Sequence, residues 1–159
     1  MKILEKVQDF TKANNKCRKC EVITVLEGET NNDKIEVYAN YIKSPTIVVS
    51  DRIFIDAKYL WPDETLAIMS SQGNEIIQGE YFRNNAKEVK GLTLAKSTIS
   101  GMKFTPVLQN DQIVGTHVVF VSQSDFGGSI PKWMTQRVAP TAIHEFYDDV
   151  VKVAKLVKI

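Results

Sequence analysis

The sequence lacks the features that mark several functional classes. Its 159 residues carry a formal net charge of +1 and no basic tract, so charge gives no case for nucleic-acid binding. No apolar run approaches the roughly 18 residues that a membrane-spanning helix needs. The N-terminal segment has too little apolar length for a secretory signal. We therefore expect one cytoplasmic domain that spans residues 1–159.

Catalytic and metal-binding motifs are also missing. His117 and His144 are the only histidines, and neither has companions at ligand spacing, so we expect no metal. The tripeptide Asp125-Phe-Gly127 occurs in kinases, but the other kinase motifs are absent from the sequence. A phosphate-binding loop and a nucleophile elbow are absent as well. We therefore expect no cofactor and no enzyme activity.

Cysteine is scarce. Cys17 and Cys20 form a Cys-x-x-Cys pair, which is half of a zinc site without a second half. We expect two reduced structural thiols. A redox pair and a metal shared between chains remain as alternatives.

The sequence has many short segments that favour β-strands. β-branched runs separated by turn residues predict strands over residues 21–27, 34–42, 52–60, 65–70, 74–82, 92–99, 102–108 and 113–122. Residues 2–13 have helical spacing and predict a short helix. Near-hairpin spacing of the strands favours one antiparallel sheet.

A long amphipathic helix is predicted near the C-terminus. It follows the two-glycine turn at Gly127-Gly128, with Ser129 as its N-cap and Pro131 in its first turn. We expect Pro140 to break or kink it. Its apolar residues recur at steps of three and four, which predicts one apolar stripe. A single helix of this kind must cover the apolar face of the sheet, so the sequence predicts an α+β fold.

Three segments carry a resemblance to a known family. The longest is Gln123-Ser-Asp-Phe-Gly-Gly-Ser-Ile-Pro-Lys-Trp133, followed by Arg137-Val-Ala-Pro140 and Phe146. The others are Ser50-Asp-Arg-Ile-Phe-Ile55 and Ser100-Gly-Met-Lys-Phe-Thr-Pro106. In this order and spacing they resemble the START family, the lipid-transfer domains related to steroidogenic acute regulatory protein. The resemblance implies a helix-grip fold, in which a curved antiparallel β-sheet wraps around a long C-terminal α-helix.

The resemblance also implies a function. START domains carry one lipid in an internal apolar cavity, so we expect this chain to bind a lipid and transfer it between membranes, touching the membrane surface transiently. We favour phospholipid over sterol, because a charged pair could orient a zwitterionic head group. A regulatory or interaction domain without transfer, and an enzyme that uses the same cavity, are the alternatives.

The candidate lipid-binding residues fall into four sets. The loop at residues 45–49 occupies the place of the family's gate, although its apolar residues could instead plug the fold permanently. The C-terminal helix is the expected lid. A polar set on one strand and three wall positions complete the site. The candidates are, in that order, Ile47, Val48 and Val49; Trp133, Met134, Val138, Phe146 and Val150; Arg52, Asp56 and Lys58; Tyr41, His117 and Val119.

The direction of Lys58 is open. The resemblance implies an interior basic residue at this position, paired with Asp56, another acid or a lipid head group. Strand alternation disagrees, because Ile53 and Ile55 form the more apolar face and would leave Lys58 in solvent. A β-bulge could reconcile the two.

The resemblance leaves one part of the family fold without a counterpart. START domains begin with a helix and three strands, and the residues before Asn14 leave no room for them. We expect that another chain replaces them or that the sheet ends on an open edge. Because open edges favour strand addition, a homodimer through this edge is a prediction.

Overall fold

A computed structural model describes residues 16–27, 34–44, 46–61 and 66–156. The helix predicted over residues 2–13 lies outside these ranges. The described part of the chain forms six strands and two helices. In chain order they are β1 (Cys17–Glu27), β2 (Lys34–Ile42), β3 (Arg52–Leu60), β4 (Leu66–Ser70), α1 (Glu75–Asn84), β5 (Thr93–Gln109), β6 (Gln112–Asp125) and α2 (Lys132–Leu156).

The strands form one sheet in the order β1-β2-β3-β4-β5-β6. Neighbouring strands run antiparallel. One exception lies at the start of β3, where Arg52–Phe54 pairs in parallel with Thr93–Ala95 of β5. Further along, β3 and β5 separate and the short strand β4 fills the gap between them. We call this point of separation the fork.

Most predicted strands match the structure, but two of them are a single strand. The segments predicted at residues 92–99 and 102–108 are both part of β5, because Gly101 continues the strand. A Cβ at Gly101 would lie 3.1 Å from the backbone oxygen of Ala67. The glycine therefore lets β4 approach β5 closely and does not mark a turn.

The strand predicted at residues 74–82 is wrong, because this segment forms helix α1. The neighbouring β-branched residues Ile76 and Ile77 suggested a strand. Ile77 and Tyr81, four residues apart, instead pack against the sheet. Glu75 in the first turn and Arg83 in the last turn also suit the helix dipole. Tertiary packing on the sheet decided between the two structures.

Helix α2 begins later than predicted and runs through its proline. The carbonyl of Pro131 accepts the hydrogen bond of Met134 N at 2.9 Å, so the helix begins at Lys132 and Ser129 lies outside it. Pro140 lies inside the helix, so it does not break the helix, and the kink expected as the alternative stays a prediction. A proline removes only one intrahelical hydrogen bond. Buried Met134 and sheet-packed Phe146 hold the two sides of the proline in place.

The two helices lie on opposite faces of the sheet. Helix α1 packs on the face formed by Ile53 and Ile55 of β3, which we call the α1 face. Helix α2 packs on the other, the α2 face, where Phe146 joins Leu60 and Phe120. Each face therefore has its own apolar core. No helix in the described ranges is long and apolar enough to cross a membrane.

The β5–β6 hairpin extends beyond the part of the sheet that the two helices cover. Its two-residue turn, Asn110-Asp111, has φ angles of 52° and 60°, as the tight turns that suit twisted hairpins require. Many apolar side chains along the hairpin are exposed. They include Ile99, Val107, Leu108, Ile113, Val114, Val119 and Val121.

Candidate functional site

Strand β3 buries three polar side chains on the α2 face. Arg52, Asp56 and Lys58 are only 7%, 5% and 7% exposed. The prediction from alternation that Lys58 points into solvent is therefore wrong, and the inward direction implied by the family resemblance is correct. No β-bulge is involved, because β2 and β3 pair in unbroken register. The reason is that α1 and α2 cover β3 from both sides, so both sets of alternating residues are inside.

Lys58 forms an ion pair with the neighbouring strand. Its Nζ lies 2.6 Å from Oε2 of Glu36, which faces it directly in the β2–β3 ladder. The side chain of Lys58 is 8% exposed and that of Glu36 is 39% exposed, so the pair lies at the border of the buried face. A buried ammonium needs such a partner, because an unpaired charge in apolar surroundings is costly. The sequence left Asp56, another acid and a lipid head group open as partners of Lys58. The structure shows Glu36, an acid other than Asp56, in contact with it.

Asp56 has a structural environment at the fork. Its carboxylate accepts hydrogen bonds from Ser71 Oγ and, at 2.9 Å, from Ser97 Oγ. Ser71 directly follows β4, and Ser97 lies on β5 just after its parallel pairing with β3. Burial raises the pKa of Asp56, and the serine hydrogen bonds oppose that shift only in part. The side chain thus joins three strands where their ladders separate.

Two amide side chains complete the fork. Asn74 Nδ2 donates to the carbonyl of Ile55 at 3.0 Å, and Gln78 Nε2 donates to the carbonyl of Ser71 at 3.0 Å. Both amides are buried. They satisfy carbonyls that the diverging strands leave outside the ladder. Our sequence prediction missed both residues because it placed them in a strand.

Arg52 binds backbone oxygens on two sides. Its guanidinium donates to the carbonyl of Ser50 and to the carbonyls of Phe126 and Gly127, at 3.2 and 3.4 Å. Burial lowers the pKa of Arg52, and the nearby Asp51 opposes that change. In this conformation the hydrogen bonds of the Arg52 guanidinium go mainly to backbone oxygens of the chain.

The loop at residues 44–50, of which residue 45 lies outside the described ranges, exposes its apolar tip. Ile47 is fully exposed and Val48 largely so, whereas Val49 is half-buried. The loop is closed at its base, where Ser44 N donates to Asp51 Oδ1 at 2.8 Å. Ile47 and Val48 therefore do not plug the described fold. Of the two interpretations of this loop, a gate and a permanent plug, their exposure fits the gate.

Helix α2 brings some of its predicted residues to the sheet. Met134 is buried, Val150 is half-buried, and Phe146 stacks on Phe120 with ring centroids 4.5 Å apart. Trp133 is mostly exposed. The side chain of Val138 lies outside the described part of the structure. Glu145 forms an ion pair with Lys16 at the start of β1, so the helix contacts both ends of the sheet.

Three predicted wall residues lie elsewhere. Tyr41 is buried in the α1 core, where its hydroxyl meets that of Tyr81. His117 and Val119 are exposed, whereas the alternate residues of the same strand pack toward α2. These three residues are therefore not placed at the α2 face. The assignment to a face failed in β6 because apolar residues occupy both of its faces.

The apolar lining of the α2 face was largely missed. Tyr38 lies among these residues, and its hydroxyl donates to Met69 Sδ at 2.9 Å, while burial raises the pKa of this phenol well above its usual value. The alternation of Met102 with Phe104 was the available signal. The lining consists of Leu60, Ala67, Met69, Met102, Phe104, Val118, Phe120 and Phe146.

The cysteines are unreactive thiols in this environment. Cys17 Sγ donates to Asn40 Oδ1 at 2.9 Å, and neither cysteine forms a disulfide. Burial raises the pKa of Cys17 to about 11 and that of Cys20 to about 12. A high pKa disfavours the thiolate that redox chemistry requires. Within the described ranges, no three His, Cys, Asp or Glu side chains cluster in a way that could hold a metal ion.

A curved sheet that grips a long C-terminal helix defines the α+β helix-grip class, as predicted. No family model and no curated protein matches the chain. Solved structures do match it, among them two human proteins. Human StAR-related lipid transfer protein 5 matches with a TM-score of 0.66 and 16% identity, over 92% of this chain and 64% of its own. Human STARD10 matches with a TM-score of 0.61 and 19% identity, over 97% of this chain and 58% of its own.

This likeness shows the fold, and it is the helix-grip fold that the family resemblance implied. The chain spans less than two thirds of the length of either structure.

Proposed function

We propose that this chain binds one lipid molecule between the α2 face and helix α2, and carries it between membranes without catalysing a reaction. One observation carries the proposal: among the described residues, the α2 face combines an apolar lining with the ion pair of Lys58 and Glu36 at its border. Ligand sites typically have this composition, with few polar groups on an apolar wall. The fold shared with a lipid transfer protein supports the proposal.

The apolar lining suits acyl chains. Phe104, Phe120 and Phe146 supply flat apolar surfaces, and Met69 and Met102 supply flexible ones. Methionine side chains adapt their shape to irregular partners, which suits a lipid with mobile tails. Tyr38 is the one phenol among them and is hydrogen-bonded within the lining.

The ion pair favours a phospholipid over a sterol. Lys58 and Glu36 present both signs of charge at the border of the buried face. A zwitterionic head group carries both signs as well, so each side chain could exchange one ion pair for another. Neither charge would then be buried without a partner. A sterol hydroxyl would offer no such exchange.

The loop at residues 44–50 and helix α2 form the proposed gate. A bound lipid can leave only if something over it moves. The exposed side chains of Ile47 and Val48 form an apolar tip that would enter a membrane surface at that moment. We therefore propose that the protein works at the cytoplasmic surface of a membrane, in transient contact.

Native mass spectrometry with lipid extraction tests the proposal. We expect the purified chain to carry lipid at one molecule per chain, with phospholipid as the extracted class. The change Lys58→Met should lower phospholipid occupancy, and Lys103→Met, at an exposed lysine on β5, should not. A lipid-free mass that stays unshifted after incubation with mixed phospholipid and sterol vesicles would overturn the proposal. Full occupancy in Lys58→Met would overturn the role of the ion pair.

A vesicle-to-vesicle transfer assay tests the gate. Replacing Ile47 and Val48 with aspartate removes the apolar tip, and each lost apolar insertion costs about 1.5–3 kcal/mol, so transfer should slow at least about tenfold. The amount of lipid bound should stay unchanged. The control is Ile113→Asp, at another largely exposed apolar residue, in the β5–β6 hairpin. Equal slowing in the control would contradict the gate.

An interaction domain on the same fold is the second candidate, and the edge of β6 favours it. In the described sheet β6 pairs only with β5, so its outer edge is open. The strand has 14 residues, and no charged residue occurs between Gln112 and Ser124. Long uncharged edges are sites of strand addition. We propose that two copies pair their β6 strands antiparallel, which places no like charges opposite each other and closes as a dimer.

A further inference from the structure

Arg52 lies between the two segments of the proposed gate. On one side its guanidinium donates to the carbonyl of Ser50, at the end of the loop at residues 44–50. On the other side it donates to the carbonyls of Phe126 and Gly127, in the turn that leads to α2. The aromatic rings of Phe54 and Phe126 meet edge to face beside it, with centroids 6.2 Å apart. One buried side chain therefore contacts both segments.

We propose that Arg52 is a positioning residue that couples the loop at residues 44–50 to the start of helix α2, so that the two segments open together. The usefulness of this coupling rests on the proposed function. Its existence does not, because the opening of both segments can be measured without any lipid.

The turn before α2 has little freedom of its own. Gly127 has a φ of 62°, and a Cβ there would lie 2.4 Å from the carbonyl oxygen of Leu94 on β5. Gly127 N also donates to Asp125 Oδ1 at 2.9 Å. The turn is therefore seated tightly on β5, with its carbonyls aimed at Arg52. It can leave this seat only by giving up the hydrogen bonds to the guanidinium.

The loop side is fastened to the same place. Thr93 N donates to the carbonyl of Asp51 at 3.0 Å, and the hydroxyls of Ser50 and Thr93 lie 2.6 Å apart. If the turn moved away alone, Arg52 would lose two acceptors while still buried. A buried donor or charge without a partner is costly. A guanidinium that has left the carbonyls of the turn can reorient, which weakens its hydrogen bond to the carbonyl of Ser50, so the cost of opening one segment falls when the other is open.

Amide hydrogen exchange followed by mass spectrometry tests this coupling on the full chain, purified and delipidated. We compare wild type with Arg52→Met, Arg52→Lys, Gly127→Ala and the control Arg18→Met. Arg18 pairs with Asp51 on the exposed side of the loop and does not reach the turn. The amides of residues 37–41 in the core report whether the fold itself is intact.

Arg52→Met should speed exchange in residues 44–50 and 126–135 together by about tenfold or more, with residues 37–41 unchanged. Arg52→Lys should have a smaller effect on both. Gly127→Ala disturbs the turn directly, and the loop should also exchange faster. Because its Cβ would also lie 3.1 Å from Thr93 Cγ2, beside the loop, the decisive result is that the acceleration in the loop shrinks when Gly127→Ala is combined with Arg52→Lys. Arg18→Met removes only an exposed ion pair, so it should leave both residues 44–50 and residues 126–135 near the wild-type rate.

The proposal is overturned if Gly127→Ala speeds exchange in the turn and leaves the loop unchanged. It is also overturned if Arg52→Met loosens only one segment. If Arg52→Met does not fold, Gly127→Ala and Arg52→Lys still decide the question. A chain that binds no lipid but shows coupled exchange would contradict the proposed function and leave this inference standing.

Discussion

Strand β3 and the β5–β6 hairpin belong to one sheet but have opposite surroundings. Both faces of β3 are covered, so Ile53 and Ile55 on one side and Lys58 on the other are almost fully buried. The hairpin extends past both helices, and apolar residues such as Ile113 and Val121 lie in solvent. The comparison shows that the polarity of a side chain does not by itself predict whether that side chain is buried here. Burial depends instead on how many faces of its strand are covered.

The first prediction tests the difference between β3 and the hairpin at a fully buried residue of β3. Ile55→Ala should lower the free energy of unfolding by about 4 kcal/mol, because it leaves a cavity in a close-packed core. Val121→Ala should lower it by less than about 1 kcal/mol, because Val121 is 56% exposed whereas Ile55 is 0% exposed. Urea unfolding of both variants measures the difference. Equal losses would mean that the hairpin is covered in solution.

The second prediction compares the two edges of the sheet. Lysines at Val119 and Val121 of β6 should weaken self-association at least about tenfold, because paired edges would bring like charges together. Lysines at Val22 and Val25 of β1 should change nothing. That strand already carries charged residues and two register shifts, both of which discourage pairing. Sedimentation equilibrium gives the dissociation constants. A wild-type monomer at high concentration would contradict the prediction.

The third prediction concerns Asp56 and pH. Burial raises its pKa in the folded state, so the folded chain holds this proton more tightly than the unfolded chain does. The contribution of Asp56 to stability is then fully present at low pH and is lost as pH rises through the raised pKa. Asp56→Asn does not titrate. The stability of wild type relative to this variant should therefore fall as the pH rises above 3.8, the ordinary pKa of an aspartate, in urea titrations, and a difference that rises with pH would contradict the prediction.

The sequence was informative wherever a local signal decided the structure. β-branched runs located β1 to β4 and β6, and the motif around Gly127 predicted both the fold and the turn before α2. Prediction from the sequence failed where packing against a neighbouring element decided the structure. Gly101 reads as a turn until β4 is placed beside it, and residues 74–82 read as a strand until the sheet offers a surface for a helix.

The candidate site was predicted only in part. Phe146, Met134 and the buried Lys58 lie as the family resemblance implied. Glu36 was missed because the partner of Lys58 lies on a neighbouring strand, and strand register is not visible in sequence. Tyr41 was assigned to the α2 face but packs against α1, because alternation separates two faces without saying which helix covers each.

The tight turn at Asn110-Asp111 has a consequence for how the chain folds. Hairpins joined by two residues close on a timescale of about 1–10 μs, because their strands are already neighbours in sequence. The parallel pairing of β3 with β5 joins segments far apart in the chain and must form later, since long-range pairings carry a larger entropic cost of closure. The β5–β6 hairpin therefore exists before the layers that surround β3. During that interval its uncharged outer strand is the surface that a second nascent chain meets first.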